Sequence, residues 1–254
     1  MPEGDVVHRT AAALRVLVGD RVEASSPNPR GEATGVARAV HGRVLESVDA
    51  VGKNLLLRFD GGLTLRSHLR MSGRWRVQER GGRIVGRPWL VLRGARWEAI
   101  EWNGPVLAVD TGIRARLGPD VLGTGTTERE LAQAIRRGGG QRRLGETLLD
   151  QHVISGVGNM WAAEALWNAQ LSPWLAVDDA SGTELDRLIG WLRTAMQRSV
   201  SGVRSPRSVY RRPGRPCPRC GSRISSRGLG DANRTAYWCP GCQRGRLGER
   251  LDAG

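Results

Sequence analysis

Lysine is almost absent from this chain of 254 residues, although the chain is strongly basic. Lysine and arginine together number 39, and Lys53 is the only lysine among them. A coding bias toward arginine explains the other basic positions, and chance survival of one lysine is the simplest alternative. Lysine differs from arginine in carrying a compact charge on a flexible stem with a tunable pKa, so it can move a proton. We therefore expect Lys53 to take part in chemistry.

Acidic residues are also few, with 25 aspartates and glutamates, and the formal net charge is +14. A surplus of that size attracts polyanions whatever the fold, whereas a small-molecule enzyme of this length has no general need for it. Nucleic acid is therefore the predicted partner, and a basic protein without a nucleic-acid role is the alternative. A hydrophobic content of 39% predicts two modest cores with a small appended unit rather than one large core.

Long apolar runs are missing as well. No stretch of about 18 apolar residues is present, which argues against a membrane span. The first ten residues, MPEGDVVHRT, contain acids where a secretory signal has basic residues followed by an apolar core. We therefore expect a cytoplasmic protein. In that reducing compartment, the confinement of all cysteines to residues 217–242 favours a metal site over disulfides.

The cysteines form two Cys-x-x-Cys pairs, Cys217 with Cys220 and Cys239 with Cys242, separated by 18 residues. This spacing is typical of a four-thiolate zinc site. A closed tetrahedral shell leaves no open coordination position, so we predict one structural Zn²⁺ that holds a hairpin and performs no catalysis. Four unliganded thiols or a redox pair are the alternative. The hairpin contains Arg234 and other arginines whose guanidinium groups suit phosphate.

Hydrophobic periodicity predicts an α+β fold class with several domains. The spacing of apolar residues predicts a helix over residues 3–18, followed by short glycine-punctuated strands typical of an antiparallel sandwich or barrel. Helical segments follow, among them residues 144–153, and then an extended basic connector over 201–216. The predicted domains are a β-sandwich at 2–118, a linker at 119–127, a helical domain at 128–203 and a zinc finger at 204–245.

Pro2 becomes the terminal residue once Met1 is removed, which a small second residue usually permits. An α-amine titrates near ~8 rather than near the ~10.4 of lysine, so a useful share is unprotonated at neutral pH. The iminium that a secondary amine forms with an aldehyde-level carbon has no N–H to lose, so it stays cationic and acts as an electron sink. Glu3 is an adjacent carboxylate suited to general acid and base catalysis, worth roughly 10²- to 10⁴-fold. A terminus without function is the alternative.

The turn at residues 155–159, Ser-Gly-Val-Gly-Asn, lies between two helical segments. Its last residue, Asn159, stands where the N-cap of a helix starting near Met160 is expected. Free amides at a helix start, together with the asparagine side chain, form an anion site suited to a DNA phosphate. An ordinary N-cap without a ligand is the alternative reading of these residues.

Six motifs in the same order along nearly the whole chain resemble one family, the formamidopyrimidine-DNA glycosylase and endonuclease VIII family of bifunctional base-excision enzymes. The motifs are Pro2-Glu3-Gly4, the strand Gly52-Lys53-Asn54-Leu55-Leu56-Leu57, the loop His68-Leu69-Arg70-Met71-Ser72-Gly73, the linker Leu117-Gly118-Pro119-Asp120, the segment from Leu148-Leu149-Asp150-Gln151 to Gly156-Val157-Gly158-Asn159, and the finger sequence from Arg234 to Gln243.

The resemblance implies a fold, a reaction and a partner. The N-terminal helix and sandwich would be the catalytic domain, the helical domain a helix-two-turn-helix, and damaged DNA would lie across the cleft between the halves. Pro2 would attack C1′ of the damaged nucleotide, displace the base and form a Schiff base, while Glu3 handles the protons of glycosylic cleavage and ring opening. Lys53 would contact phosphate and assist proton transfer during strand cleavage by β,δ-elimination. The enzyme would be a bacterial monomer, associated with the nucleoid through DNA.

The resemblance also implies four DNA contacts. Asn159 and Arg234 would grip the phosphates that flank the lesion, and Arg234 would assist the δ-elimination. His68 would lie near the same backbone. Met71 matches the wedge residue that fills the gap left by a flipped-out nucleotide. A methionine that fills a gap in the core is the alternative for this position.

Three departures from the family pattern bear on the substrate. Val6 stands where the family often has a second glutamate. Residues 101–105, Glu-Trp-Asn-Gly-Pro, replace the Arg-Arg-Phe loop of the formamidopyrimidine glycosylase branch, and only the sixteen residues 201–216 join helix to finger. These features favour the short actinobacterial-type endonuclease VIII members and oxidised pyrimidines as targets. An enzyme for 8-oxoguanine and ring-opened purines, and a non-catalytic zinc-ribbon protein that binds damaged DNA, are the alternatives.

Overall fold

The chain divides into two compact units, Met1–Arg116 and Leu117–Gly254, and each is described by itself. The structure is a computed structural model, and its described residues are 2–203, 207–231 and 233–243. Met1, Arg204 at the start of the predicted finger, and positions 244 and 245 at its end lie outside these ranges. Within them, no helix combines the length and the apolar character that a membrane crossing requires.

The first unit opens with helix α1, Gly4–Leu14, which tightens into a 3₁₀ turn at Arg15–Leu17. The predicted first helix is therefore confirmed, with a last turn that is not α-helical. Two short helices, α2 (Pro29–Ala33) and α3 (Val36–Val40), follow. The strands of this unit are β1 (Glu23–Ser25), β2 (Leu45–Val51), β3 (Asn54–Phe59), β4 (Leu63–His68), β5 (Arg74–Glu79), β6 (Leu90–Arg93), β7 (Trp97–Trp102) and β8 (Val106–Val109).

The strands form two four-stranded antiparallel sheets, in the orders β1-β6-β7-β5 and β2-β3-β4-β8. Buried side chains from both sheets and from α1 make one hydrophobic core, so the sheets pack face to face as a sandwich. The hairpin β3-β4 pairs Leu57 with Leu65 across its middle. Its turn contains Gly61 and Gly62, both at positive φ, which explains the two adjacent glycines. The predicted sandwich and hairpin are confirmed.

The second unit is helical before its C-terminal hairpin. Helices α4 (Glu128–Gly139) and α7 (Gly182–Val200) both begin with a capping box, in which Thr127 and Ser181 each exchange hydrogen bonds with a glutamate three residues later. Aliphatic side chains from all the long helices form one core. The helices are α4 (Glu128–Gly139), α5 (Leu144–Leu149), α6 (Asn159–Ala169) and α7 (Gly182–Val200), and the hairpin strands are β9 (Ser225–Leu229) and β10 (Arg234–Trp238).

Helix α5 is shorter than the sequence predicts, because residues 150–153 form a turn instead of continuing the helix. The side chain of Asp150 accepts the backbone N–H of His152 at 3.0 Å and so competes with helical hydrogen bonding. The motif Leu117-Gly118-Pro119-Asp120 packs on this turn. The Gly118 N–H donates to the Gln151 carbonyl at 2.9 Å, and a Cβ at Gly118 would lie 2.2 Å from the Val153 oxygen. Only glycine permits that close approach.

Two glutamates of β7 are buried, and they differ in their partners. Glu98 is paired with Arg93 at 3.2 Å and accepts a 2.7 Å hydrogen bond from Gln78. Within the described part of the chain, Glu101 has no charged partner, and no hydrogen bond of standard geometry reaches its carboxylate. Burial raises the pKa of Glu101 to about 8, and the nearby backbone N–H of Gly104 opposes this rise. Glu101 is therefore a neutral acid at pH 7.

This protonation predicts how stability depends on pH. The pKa of Glu101 is above its value in the unfolded chain, so its contribution to the unfolding free energy is complete below about pH 4.5 and is lost as the pH rises to about 8. The slope reaches at most about 1.4 kcal/mol per pH unit. Glu101→Gln, which is neutral throughout, should match the wild type at pH 4 and exceed it at pH 9 in denaturant unfolding. The exposed Glu79→Gln is the control, and equal pH dependence of all three proteins would refute the assignment.

Candidate functional site

The start of the chain places two predicted site residues at the entrance to α1. Pro2 lies in non-helical backbone immediately before the helix and is half-buried. Glu3 is the N-cap residue: its carbonyl accepts the backbone N–H groups of Val6 and Val7 at 3.0 and 3.1 Å. Its carboxylate does not cap the helix, and the residue is only 2% exposed. A buried carboxylate thus lies next to the residue whose amine is the predicted nucleophile.

Lys53 lies in the two-residue turn between β2 and β3, after Gly52 at φ +59°. Val51 and Asn54 pair across this turn, so the lysine is held at the end of the second sheet. The neighbouring Asn54 is buried, and its side-chain oxygen accepts a 2.9 Å hydrogen bond from Nε of Arg66. These contacts fix the backbone from which the half-buried lysine projects.

His68 is the last residue of β4 and lies at the same end of the second sheet as Lys53. Burial, together with the positive charges of Arg70, Arg66 and Lys53, lowers the pKa of His68 to about 4. Nδ1 of the ring accepts the backbone N–H of Arg70 at 3.1 Å, so the neutral ring carries its proton on Nε2. His68 is therefore a neutral hydrogen-bond donor at physiological pH, and the structure brings it close to Lys53.

Met71 protrudes from the loop between β4 and β5. It is 65% exposed, so it does not fill a gap in the core, and that alternative is wrong. The Gly73 N–H donates to the Leu69 carbonyl at 2.8 Å and closes the loop below it. Next to the methionine, Arg70 has φ +49°, an uncommon conformation for a side-chain-bearing residue. The wedge function of Met71 stays a prediction.

In the second unit, Gln151 organises the turn that precedes α6. Its amide nitrogen donates to the Val157 carbonyl at 2.9 Å, and its amide oxygen accepts the Gly156 N–H at 3.0 Å. Gly156 has φ +96°, which a side chain would resist. The expected N-cap role of Asn159 is wrong, because α6 begins at Asn159 and its N-cap residue is Gly158.

Asn159 instead reaches the finger hairpin, donating from Nδ2 to the Thr235 carbonyl at 2.8 Å. An amide nitrogen has two N–H groups, so the second is left for another acceptor. Thr235 follows Arg234, an exposed residue of β10, and the structure therefore brings the two predicted phosphate-binding residues together. A cleft of about 410 Å³ lies beside Arg234, and its lining includes Arg142, Asp150, Gln151, His152 and Asp231.

The four cysteines form a compact cluster in which all sulfur atoms lie within 4.8 Å of one another. Sγ of Cys217 is 3.7 Å from that of Cys242, and Cys220 and Cys239 are 3.5 Å apart. A disulfide needs about 2.05 Å between its sulfurs. A tetrahedron of bonds of about 2.3 Å has edges of about 3.8 Å, close to the observed separations. The cluster could therefore hold a metal ion.

Glu164 is a structural residue for which we predicted no role. It is 3% exposed in α6, and its carboxylate accepts three backbone N–H groups, from Ser208, Val209 and Tyr210, at 2.8–2.9 Å. These bonds hold the chain that leads into the finger against the helix. The sequence feature that could have predicted this role is the position of Glu164 as the single charged residue in the otherwise apolar segment MWAAEALW. Such a position indicates a buried charge with dedicated partners.

Comparison with known proteins matches both units. Residues 1–101 match the model of the formamidopyrimidine-DNA glycosylase N-terminal domain, and residues 117–208 match the H2TH domain of the same enzymes. The chain belongs to the formamidopyrimidine-DNA glycosylase family. The predicted family, and with it the enzyme class of DNA glycosylases with abasic-site lyase activity, is confirmed.

Relatives from both branches of the family align over 96% of this chain. A "Probable endonuclease 8 2" of Streptomyces coelicolor is 35% identical over 95% of its own length, and a DNA-(apurinic or apyrimidinic site) lyase, Nei2, of Mycolicibacterium smegmatis is 35% identical over 99%. A formamidopyrimidine-DNA glycosylase of Roseiflexus is 33% identical over its whole length. Among solved structures, the Lactococcus lactis formamidopyrimidine-DNA glycosylase bound to DNA with an abasic site has a TM-score of 0.80, at 21% identity, covering 96% of this chain and 100% of that one. This likeness confirms the predicted fold class.

The geometry of Glu164 gives a prediction about the second unit. In Glu164→Gln an amide N–H₂ replaces one oxygen and faces backbone N–H donors, so at least one charge-assisted hydrogen bond is lost. Such bonds contribute about 1.5–3 kcal/mol, and the free energy of unfolding should fall by that amount in chemical denaturation. The exposed Asp186→Asn, on α7, is the matched control. A Glu164→Gln protein as stable as this control would contradict the assigned role.

Proposed function

We propose that this chain removes oxidised bases, most readily oxidised pyrimidines, from damaged DNA through a Schiff base at Pro2, and cleaves the strand by β,δ-elimination. The observation that carries the proposal is the buried carboxylate of Glu3 beside the N-terminal proline. Buried titratable groups with a reactive neighbour are concentrated at catalytic sites. A protein that only binds DNA has no need for this pair.

Base removal begins with the Pro2 nitrogen, once Met1 is absent. Its lone pair attacks C1′ of the damaged nucleotide, the bond from C1′ to the base breaks, and the base leaves with that electron pair. The Pro2 nitrogen then gives up its N–H proton, and the departing base gains it. Glu3 protonates the ring oxygen O4′ as the sugar opens. The product is an iminium between Pro2 and C1′ that stays cationic.

Strand cleavage uses this iminium as the electron sink. Loss of a proton from C2′ gives an enamine, which expels the 3′ phosphate. Loss of a proton from C4′ of the resulting conjugated iminium then expels the 5′ phosphate in the second elimination. Lys53 is our candidate for contacting phosphate and moving protons in these steps, since its amine can release and take up a proton. Water then hydrolyses the iminium and releases Pro2, so the enzyme is regenerated.

DNA binding is assigned to groups in each unit. In the first, the Nε2–H of His68 donates to a phosphate, and Met71 occupies the gap left by the flipped nucleotide. In the second, Asn159 and Arg234 hold phosphates next to the lesion, and Arg234 assists the δ-elimination. The hydrogen bond from Asn159 to the Thr235 carbonyl supports a joint role for Asn159 and Arg234, because it holds Asn159 against the residue that follows Arg234. We propose that the enzyme acts on DNA as a monomer.

We assign one structural zinc ion to Cys217, Cys220, Cys239 and Cys242. The sulfur separations fit tetrahedral coordination, and a soft four-thiolate set favours zinc among the common divalent ions. When bound, the ion stabilises the finger that carries Arg234 and supplies no chemistry to the reaction. The chain's own residues perform every step at the sugar.

The choice of oxidised pyrimidines rests on the connection between β7 and β8, which is only three residues long, Asn103–Pro105. Such a turn leaves no room for the Arg-Arg-Phe loop of the purine-directed branch. The relatives named endonuclease 8 favour the same branch. The Roseiflexus relative, a formamidopyrimidine-DNA glycosylase, keeps 8-oxoguanine and ring-opened purines as the alternative.

The proposal retains the four segments predicted above, with catalysis at 2–118, a linker at 119–127, a helix-two-turn-helix domain at 128–203 and a zinc finger at 204–245. The division between Arg116 and Leu117 supports the first boundary to within two residues. An enzyme of chromosomal DNA works where that DNA lies, so we place it with the nucleoid in the bacterial cytoplasm.

The catalytic assignment is tested by Pro2→Gly. This change keeps a free terminal amine but makes it primary, so cleavage of duplexes with an oxidised pyrimidine or 8-oxoguanine should slow at least tenfold in single-turnover assays, while DNA affinity stays within twofold. The faster of the two lesions in the wild type identifies the branch. A chain with a blocked N-terminus is the negative control. Unchanged turnover in Pro2→Gly would contradict the assigned nucleophile.

The phosphate assignment is tested by Arg234→Ala. A phosphate contact carries no base information, so affinity should fall by a similar factor for abasic, oxidised and undamaged duplexes. The slope of log K against log salt should become shallower by about 0.9, the value for one phosphate. Arg187→Ala, exposed on α7, is the control. A loss confined to one lesion would show that Arg234 reads the base instead.

A further inference from the structure

The sulfur of Cys217 accepts two hydrogen bonds from outside the cysteine cluster. The indole Nε1–H of Trp167, in α6, donates to it at 3.4 Å. The backbone N–H of Arg219, within the first Cys-x-x-Cys pair, donates at the same distance. Cys217 is 3% exposed, so water does not compete for this sulfur. The first donor comes from a helix 50 residues earlier in the chain.

Arg219 fixes the indole in place. Its guanidinium lies over the ring of Trp167, 4.1 Å from the centroid. Nη1 donates to the Trp167 carbonyl at 2.9 Å, and Nη2 donates to the Asn168 carbonyl at 3.5 Å, near the end of α6. A cation over the face of an aromatic ring is attracted to its electrons, and the withdrawal of that density makes the indole N–H a stronger donor.

The negative charge of a four-thiolate zinc centre explains why N–H groups that donate to the Cys217 sulfur would stabilise it. Four thiolates around one Zn²⁺ carry a net charge of −2, which is costly to bury without compensation. Hydrogen bonds to ligand atoms spread this charge and orient the ligands. The indole and the Arg219 backbone both direct N–H groups at the same sulfur.

We propose that Trp167 is a positioning residue for the metal centre: its indole N–H, held by Arg219, stabilises the Cys217 thiolate and so sets how firmly zinc is retained. The same contact ties the metal to the C-terminal end of α6, whose first residue is Asn159. Zinc occupancy is thereby linked to the helix that carries a DNA contact. This inference rests on the proposed zinc site.

The test is zinc release from the full-length zinc-loaded protein to an excess of a chromophoric chelator. Trp167→Phe keeps the ring and removes the N–H, and it should release zinc roughly tenfold faster, the lower end of the effect of losing an outer hydrogen bond. Trp191→Phe, in α7, removes an indole that does not contact the cluster and should match the wild type. In the cobalt-substituted proteins, the thiolate-to-metal charge-transfer band should move to lower energy in Trp167→Phe alone, because a thiolate that loses one of its hydrogen bonds gives up electrons more readily.

Equal zinc release and equal cobalt spectra in wild type and Trp167→Phe would overturn this inference and leave the zinc site standing. A wild-type chain that binds no zinc would overturn both. If Trp167→Phe does not fold, Arg219→Gln serves instead, since this exposed side chain can change without loss of the fold. It removes the cation over the ring and should also accelerate release, by a smaller factor, whereas wild-type release in Arg219→Gln would overturn the inference.

Discussion

The second unit depends on the burial of one carboxylate in helix α6. A buried charge is costly unless hydrogen bonds replace its water, and Glu164 meets this requirement only when residues 208–210 turn their N–H groups toward it. The entry to the finger is therefore fixed at the middle of the helix. At one end Asn159 holds β10, and at the other Trp167 contacts Cys217. One helix thus sets the position of Arg234 and of the cysteine cluster.

In the first unit, burial decides which groups are charged. His68 is neutral because its ring is partly buried among arginines and near Lys53, so it donates a proton in a hydrogen bond without adding charge. Glu101 is neutral because burial raises its pKa to about 8, and the nearby backbone N–H of Gly104 opposes this rise only in part. Lys53 lies in a turn at the end of the second sheet, near that histidine. The arrangement concentrates positive charge and donors where a phosphate backbone is expected, and keeps the buried acid of the core uncharged.

Features that depend on neighbouring residues could be predicted from the sequence. The hairpin from Asn54 to His68 follows from strand patterning around an Asp-Gly-Gly turn, and the cysteine cluster follows from spacing alone. Contacts over long separations could not be predicted in this way. Asn159 stands at a helix start, as expected, but its partner is the carbonyl of Thr235, 76 residues later. The end of α5 was missed for a local reason, since the side chain of Asp150 takes a backbone N–H that a longer helix would use.

The central claim is that Pro2 is the nucleophile, and borohydride trapping tests it most directly. The untagged protein is incubated with separate duplexes carrying an abasic site, an oxidised pyrimidine or 8-oxoguanine, the iminium is reduced, and the adduct is mapped by mass spectrometry. We predict a cross-link on Pro2 with the abasic duplex, and a higher yield on the oxidised pyrimidine than on 8-oxoguanine. A protein that binds the abasic duplex and retains zinc but forms no cross-link at Pro2 would contradict the account.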